Sequence, residues 1–209
     1  MKEERSTLAE RVSDELAQSN VQLHNTRGQS VAIFGGARVK PESSWYLAAH
    51  DIAQKLSDAG HHIISGGGPG IMEAANKGAK LGNNGLSIGL NISLPFETCG
   101  NDYQDVSLQF DHFAARKIAF CRHSAVFVVM PGGFGTFDEL FEVLTLVQCG
   151  KMAPRAIILY DKTFWAPLLE WFKATILTNG LISAKDMDLM FIADTVDEAV
   201  AHALGHFSK

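Results

Sequence analysis

The chain has 209 residues, 46% of them hydrophobic, and a formal net charge of −5 at pH 7. This length and composition are sufficient for one domain with a sizeable core. The negative charge and the absence of any Lys/Arg run argue against nucleic acid as a partner, because binding a phosphate backbone requires a basic surface.

The three cysteines, Cys99, Cys121 and Cys149, are far apart and form no CxxC pair. This pattern is typical of reduced cytoplasmic thiols rather than of a disulfide framework or a zinc site. The charged N-terminus lacks the apolar core of a signal peptide, and no apolar run approaches the ~20 residues that span a bilayer. We therefore expect a soluble cytoplasmic protein that binds neither nucleic acid nor membrane and needs no metal or cofactor.

An amphipathic helix is predicted over residues 6–25, where Leu8, Val12, Leu16 and Leu23 recur at roughly helical spacing. It belongs to an N-terminal extension, residues 1–29, ahead of a single domain at 30–209. The stripe of Leu8, Val12 and Leu16 suggests a contact with a second copy of the chain.

Short apolar runs alternate with helical stretches from Val31 onward. Strands are predicted at 31–34, 62–65, 86–90, 106–110, 125–130 and 156–160. Helices are predicted near 43–59, 70–82, 112–122, 136–149, 164–178 and 195–205. Strands that are apolar throughout and separated by helices indicate an α/β protein with a mainly parallel sheet covered on both faces. Residues 93–104 are predicted to form a loop over the carboxyl edge of the sheet.

Three predicted strands end in glycine-rich turns: VAIFGGAR (31–38), IISGGGPG (63–70) and VVMPGGFG (128–135). Open α/β sheets bind ligands at that edge. The dinucleotide fingerprint GxGxxG and the phosphate loop GxxxxGK[ST] are both missing from the sequence. The candidate ligand that remains is a monophosphate or similar anion, held by backbone N–H groups where a helix begins. We expect it against Gly133 to Thr136, with Gly67, Gly68 and Gly70 nearby.

Thr136 and Glu139 have two interpretations. Spaced as T-x-x-E at a predicted helix start, they fit a capping box, in which the Thr caps the helix and the Glu reaches back. A cap does not require the preceding glycines, however, and a carboxylate beside an anion site is costly unless it has a function. Glu139 could serve both purposes, whereas Asp138 and Glu142 are typical first-turn acids.

Arg116 and Lys117 are adjacent on a predicted helix, so their side chains diverge by about 100° and only one can face a pocket. A solvated basic pair is the simpler interpretation. Arg116 is the better candidate for a phosphate ligand, because guanidinium binds phosphate through two parallel hydrogen bonds. His112 and His123 lack metal-ligand spacing and are predicted to be structural or surface residues.

PGGFGTFDE (131–139) fits the pattern PGGxGTxxE and, with the RK pair at 116–117, resembles the Lonely Guy (LOG) family of nucleoside-monophosphate phosphoribohydrolases. The likeness runs from about Val31 to Ala203. It implies a Rossmann-like doubly wound fold, a homodimer or larger homo-oligomer, and hydrolysis of AMP or cytokinin riboside 5′-monophosphates to free base and ribose 5-phosphate. The family is also labelled "lysine decarboxylase-like".

By position, Arg116 and Glu139 match the proposed catalytic pair of that family. Its phosphate-binding turn corresponds to Gly132, Gly133, Gly135 and Thr136, with Lys117 and the 67–70 turn added as substrate-binding candidates. Relatives commonly carry a serine where this chain has Gly36 or Ala37. The alternative is a non-catalytic carrier of a nucleotide or of the molybdenum cofactor, which would need the glycine turns but not the acid.

Overall fold

The computed structural model describes residues 7–95 and 100–208, which form one parallel sheet of seven strands flanked by helices. The strands are β1 (Ser30–Phe34), β2 (His62–Ser65), β3 (Ser87–Ile92), β4 (Val106–Phe110), β5 (Ser124–Val129), β6 (Ala156–Tyr160) and β7 (Met190–Ala193). The helices are α1 (Leu8–Gln22), α2 (Ser44–Asp58), α3 (Ile71–Leu81), α4 (Phe113–His123), α5 (Phe134–Gln148), α6 (Lys162–Trp171), α7 (Ala184–Met187) and α8 (Val196–Phe207).

The strand order is β4-β3-β2-β1-β5-β6-β7, and every neighbouring pair is parallel. The chain winds outward from β1 to β4 and then crosses back to begin the other half at β5. The order therefore reverses between β1 and β5, which is where an open α/β sheet leaves a crevice for a ligand. The predicted doubly wound α/β fold is confirmed.

Side chains of β1 alternate between the two faces of the sheet, as a strand requires. Val31 and Ile33 pack in the core beneath α2, α3 and α8, whereas Ala32 and Phe34 pack in the core beneath α4, α5 and α6. Both faces of β1 are buried, which explains why this strand is apolar from Val31 to Phe34.

Two elements near the C-terminus were missed: the short helix α7 and the edge strand β7. The four residues of β7, MFIA, are all apolar and three of them are half-buried. So short an apolar run does not by itself distinguish a strand from a buried helical segment. The predicted helix over 164–178 begins earlier and continues from α6 as a π-helix, Phe172–Leu177. Gly60 ends the turn after α2 with φ +91°, as a glycine beyond a helix C-terminus should.

The described part of the N-terminal extension is α1, followed by a 3₁₀ turn at His24–Thr26; residues 1–6 lie outside the described range. Leu23 is fully buried, and Val12 and Leu16 pack against the same core as α4. Val12 and Leu16 of this stripe therefore contact their own chain, whereas Leu8 is exposed. A contact of α1 with a second copy of the chain stays a prediction. In the described ranges, no helix combines the length and apolarity needed to cross a membrane.

Candidate active site

The three glycine-rich turns follow β1, β2 and β5, which are neighbours in the sheet. Hydrogen bonds join the turns: Gly36 N–H donates to the Pro131 carbonyl at 3.0 Å, and Ile71 N–H donates to the Gly36 carbonyl at 3.1 Å. Gly70, at φ +68°, lies against Gly36, where a Cβ atom would collide. The turn after β1 therefore links the other two.

A cavity of about 1160 Å³ opens above these turns. Ligand sites for small molecules typically enclose ~300–1,000 Å³, so this one is large enough for a nucleotide. Six residues proposed from the sequence line it: Gly68, Arg116, Gly133, Gly135, Thr136 and Glu139. The fold thus brings together groups from two turns and two helices that are far apart along the chain.

Helix α5 begins at Phe134, two residues earlier than predicted, with Gly133 as its N-cap. The N–H groups of Thr136 and Phe137 both donate to the Gly133 carbonyl, at 2.9 and 3.1 Å. Thr136 thus lies inside the first turn and Glu139 lies in the second. The capping-box interpretation of this pair is wrong, because a glycine without a side chain occupies the cap position.

The start of α5 presents bare backbone to the cavity. A Cβ atom at Gly133 or Gly135 would meet nothing within 4 Å, whereas at Gly132 it would collide with the Thr136 side chain. The first N–H groups of a helix have no partner inside it and carry its positive dipole end. This turn therefore has the chemistry of an anion site. Phe134, which the sequence reasoning did not single out, also lines the cavity and is 97% exposed.

Glu139 is a buried carboxylate on the wall of the same cavity, with 8% of the residue exposed. Its Oε2 atom makes no hydrogen bond to any described residue. Burial raises the pKa of the carboxyl group above its usual value, and the charges of Lys117 and Arg116 offset this only in part. A carboxyl group with a raised pKa in a cavity is a candidate for proton transfer.

Arg116 points from α4 into the cavity and is fixed by backbone carbonyls. Its Nε donates to the Leu90 carbonyl at 2.7 Å, and its Nη2 donates to the Gly66 carbonyl at 3.0 Å. The aromatic ring of Phe120 lies 5.4 Å from the guanidinium carbon. The guanidinium therefore has a defined orientation at the end of β2 and β3.

Lys117 points the other way, towards the acids of α5. Its Nζ lies 2.9 Å from Asp138, 3.7 Å from Glu139 Oε2 and 4.0 Å from Glu142. Asp138 and Glu142 were expected to be first-turn acids. They lie beyond the first turn of α5 and surround this amine instead. Lys117 thus forms an ion pair with Glu139 Oε2.

Cys121 is a neighbouring thiol that stays protonated. Burial, with the charges of Glu139 and Glu142, raises its pKa to about 12. Because the thiolate is the nucleophilic form of cysteine, this thiol is unsuited to covalent catalysis.

Sequence reasoning missed a set of amide side chains that holds the turn after β2. Asn101 Nδ2 donates to the carbonyls of Gly67 and Gly68, both at 3.0 Å, and Gln104 Nε2 donates to the Gly67 carbonyl at 3.0 Å. Gly67, at φ +74°, has no room for a side chain beside Gln104. These amides come from the predicted loop 93–104, of which residues 96–99 lie outside the described part. No periodic pattern marks them.

The fold and the position of the cavity place the chain among Rossmann-like α/β proteins whose site lies at the carboxyl edge of a parallel sheet. The family described as "Possible lysine decarboxylase" matches residues 72–203, and the chain belongs to that family. The matched range contains α4 and α5 and most of the residues that line the cavity.

Relatives at modest identity confirm the resemblance to LOG proteins. The chain is 26% identical over 181 residues to the cytokinin riboside 5′-monophosphate phosphoribohydrolase LOG3 of Arabidopsis thaliana, covering 85% of this chain and 83% of LOG3. It is 27% identical over 185 residues to LOG4 of the same plant, covering 87% and 85%. A probable enzyme of this name from Oryza sativa subsp. japonica, LOGL5, is 32% identical over 126 residues, covering 59% and 50%.

Solved structures share the fold. The molybdenum cofactor carrier protein of Chlamydomonas reinhardtii superposes with a TM-score of 0.63 at 21% identity, covering 88% of this chain and 100% of the carrier. The molybdenum cofactor binding protein of Rippkaea orientalis gives a TM-score of 0.60 at 21% identity, covering 84% and 94%. At this identity the likeness concerns the fold alone.

Proposed function

We propose that the protein is a phosphoribohydrolase that cleaves the N-glycosidic bond of a nucleoside 5′-monophosphate, AMP or a cytokinin riboside monophosphate. The products would be the free base and ribose 5-phosphate. The observation that carries the proposal is Glu139, a buried carboxylate with a raised pKa on the same cavity wall as the open glycine turn of α5.

The 5′-phosphate would bind at the start of α5, where bare N–H groups and the helix dipole favour a negative charge. Gly133 and Gly135 leave the backbone open to such a group, and the Thr136 side chain lines the same wall. The ribose would then lie beside Glu139, which is one and a half helical turns further along α5.

Cleavage of an N-glycosidic bond passes through an oxocarbenium-like sugar. The Glu139 carboxylate would stabilise that positive charge and accept a proton from the attacking water. The water oxygen bonds to C1′, the bond from C1′ to the base breaks, and the departing base nitrogen gains a proton. Arg116, held by two backbone carbonyls, would orient the nucleotide and offset negative charge on the departing base.

Glu139 also favours hydrolysis over a carrier function. A buried carboxylate beside a phosphate site weakens anion binding, which a carrier has no reason to tolerate, whereas the hydrolysis requires the carboxylate. Decarboxylation of lysine by a pyridoxal enzyme requires a Schiff-base lysine. Among the described residues that line the cavity, the cationic side chains are Arg38 and Arg116, and none is a lysine.

The test is to incubate the purified full-length protein with AMP, GMP, CMP and isopentenyladenosine monophosphate, and to measure released base and ribose 5-phosphate by chromatography. Adenosine, which lacks the phosphate, is the matched control and should be a much poorer substrate than AMP. Release of base from none of the nucleotides would contradict the proposal and support the carrier alternative.

A further inference from the structure

Glu15 is an acid of α1 whose carboxylate lies against the turn between β4 and α4. Its Oε1 accepts a hydrogen bond from the Asp111 N–H at 3.1 Å and lies 2.7 Å from Nδ1 of His112. Its Oε2 accepts from the His112 N–H at 3.4 Å. The side chains are largely buried, with 13% of Glu15 and 20% of His112 exposed. This carboxylate therefore fixes both the backbone and the ring at that turn.

The turn is the place where the helix of Arg116 begins. His112 is the N-cap of α4, and its own side chain makes no capping hydrogen bond. The N–H of Arg116 donates to the His112 carbonyl at 3.2 Å, so Arg116 closes the first turn of that helix. A carboxylate at a helix N-terminus is also favoured by the helix dipole. Glu15 is thus connected to Arg116 through His112.

Glu15 is held firmly enough to act in this way. Val12 and Leu16, on the same face of α1, pack against the core that contains Phe120 of α4. At the far end, the Arg116 guanidinium is tied to two backbone carbonyls. A small shift in the position where α4 begins would therefore break the hydrogen bonds of Arg116 or move its guanidinium away from the cavity. Misplacement by ~1 Å of a group that orients a substrate can cost roughly 10²-fold in rate.

We propose that Glu15 is a positioning residue for the active site, acting through the β4–α4 turn and His112 on Arg116 without touching the substrate. The N-terminal extension then contributes to the site by setting the start of α4. The inference uses the proposed function for its activity readout only, since the placement of α4 can be measured independently.

The experiment compares Glu15→Ala and Glu15→Gln in the full-length chain with Asp14→Asn and Asp14→Ala. Asp14 precedes Glu15 on α1 and is exposed, so these controls change the same charge on the same helix. For each variant we would measure kcat and KM for AMP, AMP affinity, the melting temperature, and hydrogen exchange of the amides at 113–116. We expect Glu15→Ala to lower kcat about 10- to 100-fold and to speed exchange at 113–116.

Glu15→Gln keeps a carbonyl oxygen that can accept from the turn, so it should recover part of both losses, and the Asp14 variants should match the wild type. If Glu15→Ala melts at a lower temperature but keeps the wild-type kcat and exchange at 113–116, Glu15 only stabilises the fold and the proposal is overturned. If Glu15→Ala does not fold, Glu15→Gln decides by the same measurements. If the wild type releases no base, the proposed function fails, and exchange together with AMP affinity still decides the role of Glu15.

Discussion

Arg116 Nη2 donates a 3.0 Å hydrogen bond to the carbonyl oxygen of Gly66, and a Cβ atom at Gly66 would collide with that same guanidinium. The absence of a side chain at Gly66 therefore admits the arginine to the end of β2. One glycine of the turn after β2 serves a cation of the protein rather than a bound anion. This relationship divides the glycines of the site into those that pack against the protein and those that face the cavity.

Glu139→Gln should abolish most of the hydrolysis while leaving the fold intact. The amide keeps the shape of the side chain but removes the charge that the oxocarbenium-like sugar would meet, so kcat for AMP should fall roughly 10²-fold or more, the scale of general acid–base effects. Affinity for AMP should be kept or increased, because a negative charge beside the phosphate is lost. Turnover and isothermal titration with AMP check this, and full turnover by the stable variant would exclude Glu139 as the catalytic carboxylate.

The same variant has an expected pH dependence. Burial raises the pKa of Glu139 in the folded protein, so its contribution to stability is complete below the unfolded pKa and is lost as pH rises through the folded pKa. Above the folded pKa the ionised group destabilises the fold, so Glu139→Gln should melt there at an equal or higher temperature than the wild type. This difference should shrink in acid. The predicted direction would be contradicted if Glu139→Gln melted below the wild type at pH 7 but not in acid.

Lys117→Met tests whether the amine tunes Glu139 or binds the phosphate. After burial, the charge of Lys117 is the largest influence on the pKa of Glu139, and it lowers that pKa. Its removal should move the acid limb of the pH–rate profile to higher pH, because the carboxylate is the active form. The exposed Lys173→Met is the control. A raised KM for AMP with an unmoved acid limb would instead assign Lys117 to the phosphate.

Gly133→Ala should weaken phosphate binding without weakening the fold. The new methyl group has open space around it and φ there is −100°, which alanine adopts, so the melting temperature should stay close to the wild type. The methyl group would occupy the surface on which the phosphate lies, and KM for AMP should rise at least about tenfold, equivalent to ~1.4 kcal/mol. Gly205→Ala, also in open space but on α8, is the control. Unchanged KM in Gly133→Ala would place the phosphate elsewhere.

Assembly remains a prediction, and we propose that the chain forms a homo-oligomer through α4 and α5. Ile118 on α4 is 47% exposed although it is a large apolar residue, and Phe113 and Phe141 nearby are also exposed. Light scattering at micromolar concentration should give at least twice the chain mass. Ile118→Asp should shift that mass towards the monomer, whereas Leu47→Asp, on α2 and 54% exposed, should not. A monomeric wild type would end the proposal.

The fold class followed from the sequence because burial on both faces of a parallel strand demands an unbroken apolar run. Six strands were predicted close to their observed bounds, whereas β7 was missed because its apolar run has only four residues. The glycine turns could also be found, since three turns at equivalent strand ends must meet at one edge of the sheet. Arg116 and Glu139 were found by resemblance to a family, and the structure places both on one cavity.

What the turns do was decided only by tertiary structure. The T-x-x-E spacing fits a capping box, yet α5 begins at Phe134 because Gly133 takes the cap position. The roles of Gly66, Asn101 and Glu15 each depend on a partner far away in the chain, to which no local spacing points. Periodicity records which side of an element is buried, because burial acts on every turn of a helix or strand. It does not record which distant atom a polar side chain contacts, since that depends on the order of the strands within the sheet.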